Sequence, residues 1–80
     1  MTVYVDSIIR WPTGLWCHLF ADTDEELELF ASRLGLRPSW KHKEHYDLRP
    51  SKRELAVRLG VEITSRAMAR RIVEHRRKQS

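Results

Sequence analysis

The sequence predicts a single α/β domain in which a small, mostly parallel sheet carries three helices. The chain has 80 residues, which is the length of one small domain. Short β-branched or aromatic segments alternate with three segments of helical periodicity. A strand, a helix and a further strand in succession return the chain in its original direction, so strands joined in this way are parallel. Residues 1–80 are therefore assigned to one compact domain.

The first strand is predicted at residues 2–5, which are β-branched or aromatic and stop at Asp6. The pattern is irregular around Pro12 and Gly14. Residues 15–20 are apolar apart from one histidine, and they leave open whether this stretch is a loop or a second short strand.

The first helix is predicted from a capping box, in which Thr23 caps the helix and Glu26 reaches back to it. An apolar stripe with helical spacing follows, and Gly35 ends the helix. The stripe consists of Leu27, Phe30, Ala31 and Leu34.

Three further elements follow in the second half of the chain. Residues 39–48 are expected to contain a strand that ends near Asp47. A short second helix begins at Pro50 with a capping box from Ser51 to Glu54.

A last strand at residues 61–64 leads into a final helix that Ser65 caps. The tail of this helix is expected to fray from about residue 76.

The charge is distributed unevenly along the chain, although the net charge is only +4. Residues 1–40 carry three basic and six acidic side chains, net −3, whereas residues 41–80 carry twelve and five, net +7. An anionic partner is therefore expected to contact the second half.

The single cysteine, Cys17, excludes a disulfide within the chain and a cysteine-rich zinc site, which indicates a reducing, intracellular setting. Because Cys17 lies in an apolar run that keeps its thiol protonated, no nucleophilic triad is predicted. No apolar run approaches the roughly 20 residues of a membrane span, and the first residues lack the pattern of a signal peptide. We expect a soluble cytoplasmic protein without a membrane partner.

Polar residues follow three of the predicted strands, at Asp6, at residues 45–47 and at residues 64–66. In α/β sheets, ligands bind at the carboxyl ends of strands. On a strand, His45 and Asp47 share one face, which suits a two-ligand clamp for a divalent metal ion or a base with its orienting carboxylate. The alternative is an exposed edge strand with ordinary polar residues.

His18 lies inside an apolar run, where an unpaired imidazole is costly. A backbone carbonyl or a carboxylate can satisfy such a histidine without any further role. If it meets Asp6, His45 and Asp47, the four residues have the ligand types of a metal-assisted hydrolase.

Two tryptophans, Trp11 and Trp16, flank a turn and have the chemistry to stack on a base or sugar ring; packing in the core is the alternative. Arg66 follows Ser65 at a helix start, where a guanidinium and free backbone N–H groups suit phosphate, although an ordinary cap is the alternative. The last helix also carries a basic run that suits nucleic acid or that solvent simply covers: Arg70, Arg71, Arg76, Arg77 and Lys78.

Several of these segments occur together in a pattern that covers nearly the whole chain: Val3-Tyr4-Val5-Asp6, Arg10-Trp11-Pro12, Trp16-Cys17-His18-Leu19 with Asp22, Phe30-Ala31 with Arg33-Leu34-Gly35, His45-Tyr46-Asp47 and Ser65-Arg66. The combination resembles the bacterial and phage family called domain of unknown function 4031. The resemblance implies a small cytoplasmic protein of phage or bacterial origin. It also implies one shared site, formed by Trp11, Trp16, His18, His45, Asp47 and Arg66.

The first functional hypothesis is binding, without turnover, of a phosphate-bearing, nucleotide-like small molecule in a cleft at the strand ends. The ligand-binding residues of this hypothesis are Trp11, Trp16, His18, His45, Tyr46, Asp47, Ser65 and Arg66. An alternative is a metal-dependent phosphoesterase or nuclease with a divalent ion on Asp6, His18, His45 and Asp47. A third is a nucleic-acid or protein-interaction module that uses the basic run, and a homo-oligomer in which a second copy completes the site is compatible with all three.

Overall fold

A computed structural model describes residues 2–79, in which five strands form a mixed sheet and three helices accompany it. The strands are β1 (Val3–Val5), β2 (Ile9–Trp11), β3 (Gly14–Ala21), β4 (Tyr46–Leu48) and β5 (Glu62–Ile63). The helices are α1 (Asp24–Arg33), α2 (Pro50–Arg58) and α3 (Arg66–Gln79), and a short 3-10 helix, Pro38–Trp40, precedes β4. The predicted α/β class and the three helices are confirmed.

The sheet is mixed, so the prediction of a mostly parallel sheet was wrong. Only β1 and β5 pair in parallel, whereas β3 is antiparallel to β1, β2 and β4. The tight turn at residues 12–13 returns the chain at once, and two strands joined by such a turn must be antiparallel. A helix such as α1 between two strands would by itself make β3 and β4 parallel. A second reversal of the chain at residues 42–45 comes between α1 and β4, and β4 runs antiparallel to β3.

A bulge interrupts the pairing of the N-terminal segment with β3. Val5 pairs with Leu19, but Ile9 pairs with Trp16, so residues 6–8 lie opposite only residues 17–18. One extra residue on one strand is the definition of a β-bulge, and bulges redirect side chains near functional sites. Here the bulge begins at Asp6.

The two faces of β3 have different neighbours. The core packs α1 and α2 against the face that carries Cys17, Leu19 and Ala21. Because side chains alternate along a strand, Trp16, His18 and Phe20 lie on the other face. Residues of α3 line a cavity together with His18, so α3 covers part of this second face.

The helix starts differ in how well the sequence predicts them. Thr23 caps α1 as predicted, since its hydroxyl accepts the backbone N–H of Glu26 at 3.2 Å. In contrast, α2 begins at Pro50, its cap residue is Arg49, and no side chain caps it, so the predicted Ser51–Glu54 capping box was wrong. Proline in the first turn supplies the helical φ without a side-chain cap.

The C-terminal part of α3 is attached to the sheet and to α1. Arg76 donates to the carbonyl oxygen of Ala21 at 3.2 Å and to the carboxylate of Asp24 at 2.6 Å, and Arg77 donates to Glu44 at 2.7 Å. The structure does not test whether the helix frays in solution from about residue 76, so this stays a prediction. Ser80 lies outside the described residues. No helix of the described chain has the length and apolar character that crossing a membrane requires.

Candidate functional site

Three polar side chains form a row across β1, β3 and β4. His18 on β3 pairs in register with Asp47 on β4, and Asp6 directly follows β1 on the opposite side of β3. Asp6 Oδ1 accepts the backbone N–H of His18 at 2.6 Å, and its Oδ2 lies 2.7 Å from His18 Nδ1. Because an ionised carboxylate only accepts, the ring donates through Nδ1 and its Nε2 lone pair points away from Asp6.

Asp6 is almost fully buried, and contacts from other elements fix its position. It is 1% exposed, and Nε of Arg53 on α2 donates to its backbone carbonyl oxygen at 2.9 Å. Sequence reasoning missed Arg53, since a contact between residues so distant along the chain leaves no local pattern. The bulge, the α2 arginine and the His18 backbone together fix the carboxylate that orients the histidine.

His45 reaches the same place through a tight turn rather than a strand. His42 and His45 exchange backbone hydrogen bonds of 2.8 and 3.2 Å, with Lys43 at a positive φ of 58° between them. The rings of His42 and His45 therefore lie close together, with centroids 5.4 Å apart, whereas on a strand His42 and His45 would have faced opposite sides. The turn was missed because Lys43 and Glu44 are not the glycine or asparagine that such turns usually carry.

The two histidines and Asp47 bring three potential ligand atoms together. Nε2 of His18 and Nε2 of His45 lie 3.7 and 3.6 Å from the same oxygen, Asp47 Oδ1. One ligand atom from each residue lies within 4.8 Å of the other two, and the imidazole rings are nearly perpendicular with centroids 4.9 Å apart. A tetrahedral ion with bonds of about 2.0–2.1 Å needs ligand atoms about 3.4 Å apart. Small side-chain adjustments therefore bring the set to bonding geometry.

The electrostatics of the two histidines differ. The hydrogen bond to Asp6 raises the pKa of His18 above its ordinary value, against the opposing effect of burial. Burial, helped by the nearby His18 ring, lowers the pKa of His45. A neutral His45 offers its ring lone pair to an ion without first losing a proton.

Two open cavities meet at this cluster. The cationic cavity, about 330 Å³, lies between the sheet and α3, and Arg66 and Arg70 line it together with His18 and His45. The aromatic cavity, about 540 Å³, is lined by Trp11, Trp16 and the same two histidines. Asp6, Glu44 and Glu74 also line the cationic cavity, and Glu44 pairs with Arg77, so the histidines are shared by a cavity of mixed charge and an aromatic cavity.

The aromatic cavity is organised by Trp16. Its indole N–H donates to Thr13 Oγ1 at 2.9 Å, and the guanidinium of Arg49 stacks 3.9 Å from its ring centroid. Glycine suits position 14 because its φ is 126°, a backbone conformation that residues with a side chain rarely adopt. Trp11, in contrast, is 49% exposed at the cavity mouth.

Two of the proposed ligand-binding residues, Tyr46 and Ser65, line neither of these two cavities and have other hydrogen-bond partners. Tyr46 is 1% exposed in the core, and its hydroxyl donates to the carboxylate of Glu28 at 3.1 and 3.2 Å. Ser65 caps α3, since its hydroxyl accepts the backbone N–H of Met68 at 3.1 Å. Arg66 lines the cationic cavity, and its binding of phosphate stays a prediction.

The basic run of α3 is only partly open to a partner. Arg76 and Arg77 form ion pairs with Asp24 and Glu44. Arg70 is exposed and, within the described chain, forms no ion pair. Nucleic-acid binding through this run stays a prediction, with fewer cations available than the sequence alone indicates.

We expect the thiol of Cys17 to be inert in the folded protein. Cys17 is 1% exposed, and burial raises its pKa to about 12, with a smaller contribution from the charge of Asp6. Because the thiolate is the reactive form, native protein should react with Ellman's reagent at pH 8 more than about 100-fold more slowly than protein unfolded in guanidinium chloride. Similar rates in the two states would contradict this placement.

Comparison with known proteins adds one relationship. A family model described as "Protein of unknown function (DUF4031)" matches residues 3–76. No curated protein and no solved structure matches the chain significantly.

Proposed function

The chain belongs to the domain of unknown function 4031 family, and for this member we propose a metal-dependent phosphoesterase whose divalent ion is bound by His18, His45 and Asp47. The observation that carries the proposal is the convergence of three ligand atoms within 4.8 Å on residues from two different strands and a turn. Two imidazoles and one carboxylate are a ligand set typical of Zn²⁺ and of related transition metals. Three protein ligands also leave a coordination position open, as catalytic sites require.

Asp6 has a different role in this proposal from the ligand role expected from the sequence. Both of its oxygens are already engaged by His18, through the backbone N–H and through Nδ1. A metal-ligating histidine usually donates its second ring nitrogen to a carboxylate, which fixes the tautomer and aims the other nitrogen at the ion. Asp6 therefore acts as the orienting residue, and His18 Nε2 is the ligand.

The walls of the site favour a phosphate ester as substrate. Arg66 and Arg70 provide positive charge in the cationic cavity next to the histidines, and guanidinium groups bind phosphate oxygens in a bidentate manner. In hydrolysis, water adds to phosphorus, one P–O ester bond breaks, and the departing alcohol takes up a proton. The ion would supply charge stabilisation and would lower the pKa of water, while the arginines hold the phosphoryl group.

The first hypothesis from the sequence, nucleotide binding without turnover, uses the same surface. Trp11 and Trp16 line the aromatic cavity, which shares His18 and His45 with the cavity that Arg66 lines. A phosphate-bearing molecule with an aromatic ring can therefore span both cavities. The stacking and cationic residues explain binding alone, whereas a divalent ion beside the phosphate would also allow its hydrolysis.

The test is a calorimetric titration of the untagged protein with Zn²⁺ and Mn²⁺ after chelation and dialysis. We expect one ion per chain, and at an ion concentration of about 100 times Kd the free energy of unfolding should rise by about 2.7 kcal/mol. His45→Ala should weaken ion binding more than 100-fold, whereas His75→Ala, outside the cluster, should leave it unchanged. Release of p-nitrophenol from bis(p-nitrophenyl) phosphate should follow ion occupancy. Equal ion binding by His45→Ala, or none by the parent protein, would remove the proposal.

A further inference from the structure

We propose that the substrate of this site is a single-stranded nucleic acid, which lies in a continuous groove across the ion site; the inference rests on the proposed phosphoesterase function. The groove continues beyond the two cavities described above. A third cavity, of about 560 Å³, is lined by Trp16, Trp40, Arg49 and Lys52. The third cavity and the aromatic cavity share Trp16 and Asp47, and the aromatic and cationic cavities share His18 and His45.

The size of the groove argues for a polymer. A cavity of roughly 300–1,000 Å³ accommodates one small-molecule ligand, and each of the three cavities lies within that range. A mononucleotide would occupy one or two of them and would leave the third unused. A strand several nucleotides long would occupy all three and would place an internal phosphodiester beside His18 and His45.

The chemistry of the groove fits unpaired bases. Tryptophan is normally among the more buried residues, yet Trp40 is 56% exposed and Trp11 is 49% exposed along this groove. Exposed aromatic rings that alternate with cations form the stacking platforms on which proteins bind single strands. Arg37 lies over the Trp40 ring at 5.7 Å, and Arg49 lies over the Trp16 ring, so a cation covers one face of each ring and a base would stack on the opposite face.

The charge of the groove supports the same occupant. Along the aromatic and third cavities, Asp47 is the only acidic residue among the described lining residues, whereas Asp6, Glu44 and Glu74 line the cationic cavity beside its arginines. Arg66 and Arg70 supply positive charge for a phosphodiester backbone in the cationic cavity, and Arg49 and Lys52 supply it in the third cavity, where Arg49 also stacks on Trp16 and Lys52 also donates to the carbonyl oxygen of Leu34 at 2.7 Å. A duplex keeps its bases stacked inside, so it cannot use the tryptophans.

The test measures binding of fluorescein-labelled octathymidylate by anisotropy in EDTA, with octauridylate, thymidine monophosphate and an eight-base-pair duplex as competitors. We expect either octamer to bind at least 10-fold more tightly than the mononucleotide and the duplex. Tighter binding of either octamer than of the mononucleotide and the duplex supports the proposal. Trp40→Ala should weaken octamer binding about 5- to 100-fold, while Trp40→Phe retains most of it.

Two controls separate this inference from the proposed function. Trp40→Ala should leave mononucleotide affinity and Zn²⁺ affinity unchanged, because Trp40 does not line the cavities that meet at the ion site. Arg58 is an exposed cation outside the groove, so Arg58→Ala should leave octamer affinity unchanged.

An octamer that binds no more tightly than the mononucleotide, or an unaffected Trp40→Ala variant, would overturn the strand proposal even if Zn²⁺ binds. Loss of Zn²⁺ binding with intact octamer binding would instead count against the phosphoesterase proposal alone.

Discussion

Replacing Asp6 by asparagine should weaken Zn²⁺ binding by about 10- to 100-fold while the chain still folds, as expected for the loss of a carboxylate that orients a metal ligand. The asparagine oxygen can still accept the backbone N–H of His18, which now binds Asp6 Oδ1 at 2.6 Å. The asparagine NH₂ group then faces His18 Nδ1, where it can only donate. The ring must place its proton on Nε2, and this proton blocks the atom that would ligate the ion.

The measurement is a Zn²⁺ titration of Asp6→Asn beside the parent protein, with thermal unfolding in chelator to compare the two folds. Asp22→Asn provides a matched control, because Asp22 is an exposed carboxylate outside the histidine cluster that accepts the hydroxyl of Tyr4 at 3.0 Å. Its Zn²⁺ affinity should equal that of the parent. If Asp6→Asn also binds Zn²⁺ like the parent, then Asp6 does not orient His18 for an ion.

Truncating Tyr46 to alanine should reduce the free energy of unfolding by about 3–5 kcal/mol, as for other large aromatic side chains removed from a core. Tyr46 is among the largest fully buried side chains in the described chain. At roughly 0.05–0.15 kcal/mol per residue, an 80-residue domain has only about 4–12 kcal/mol of stability. The variant should therefore be partly or wholly unfolded at 37 °C.

Tyr46→Phe separates a core role from a role in the site. This variant keeps the ring and loses only the hydrogen bond to Glu28, whose carboxylate is partly exposed and can be rehydrated, so the cost should be about 1 kcal/mol. Chemical denaturation gives both free energies, and a Zn²⁺ titration of Tyr46→Phe should match the parent. If Tyr46→Phe loses much of its affinity for Zn²⁺ or for the octamer while its stability is unchanged, then the Tyr46 hydroxyl takes part in the site.

The candidate site shows how much of a small domain can be predicted from its residues. The chemical types of Asp6, His18, His45 and Asp47 suit a metal site only if the chain brings them together, and the register of β3 with β1 and β4 places His18 next to Asp6 and Asp47. The same reasoning placed Tyr46 in the site, because the residues of a short strand do not show which of its two faces is buried. It also missed Arg53 and Arg49, whose contacts with Asp6 and Trp16 join segments far apart in the chain.

The sequence by itself determined what depends on neighbouring residues. The capping of α1 by Thr23, its apolar stripe and the uneven charge of the two halves all involve interactions or sums over short stretches of chain. Only the tertiary structure decided the direction and register of the strands, the bulge at Asp6 and the turn that brings His42 beside His45. Strand pairing depends on contacts between residues distant in sequence, and a shift of one residue exchanges the two faces of a strand. The position of every candidate ligand in this protein follows from that register.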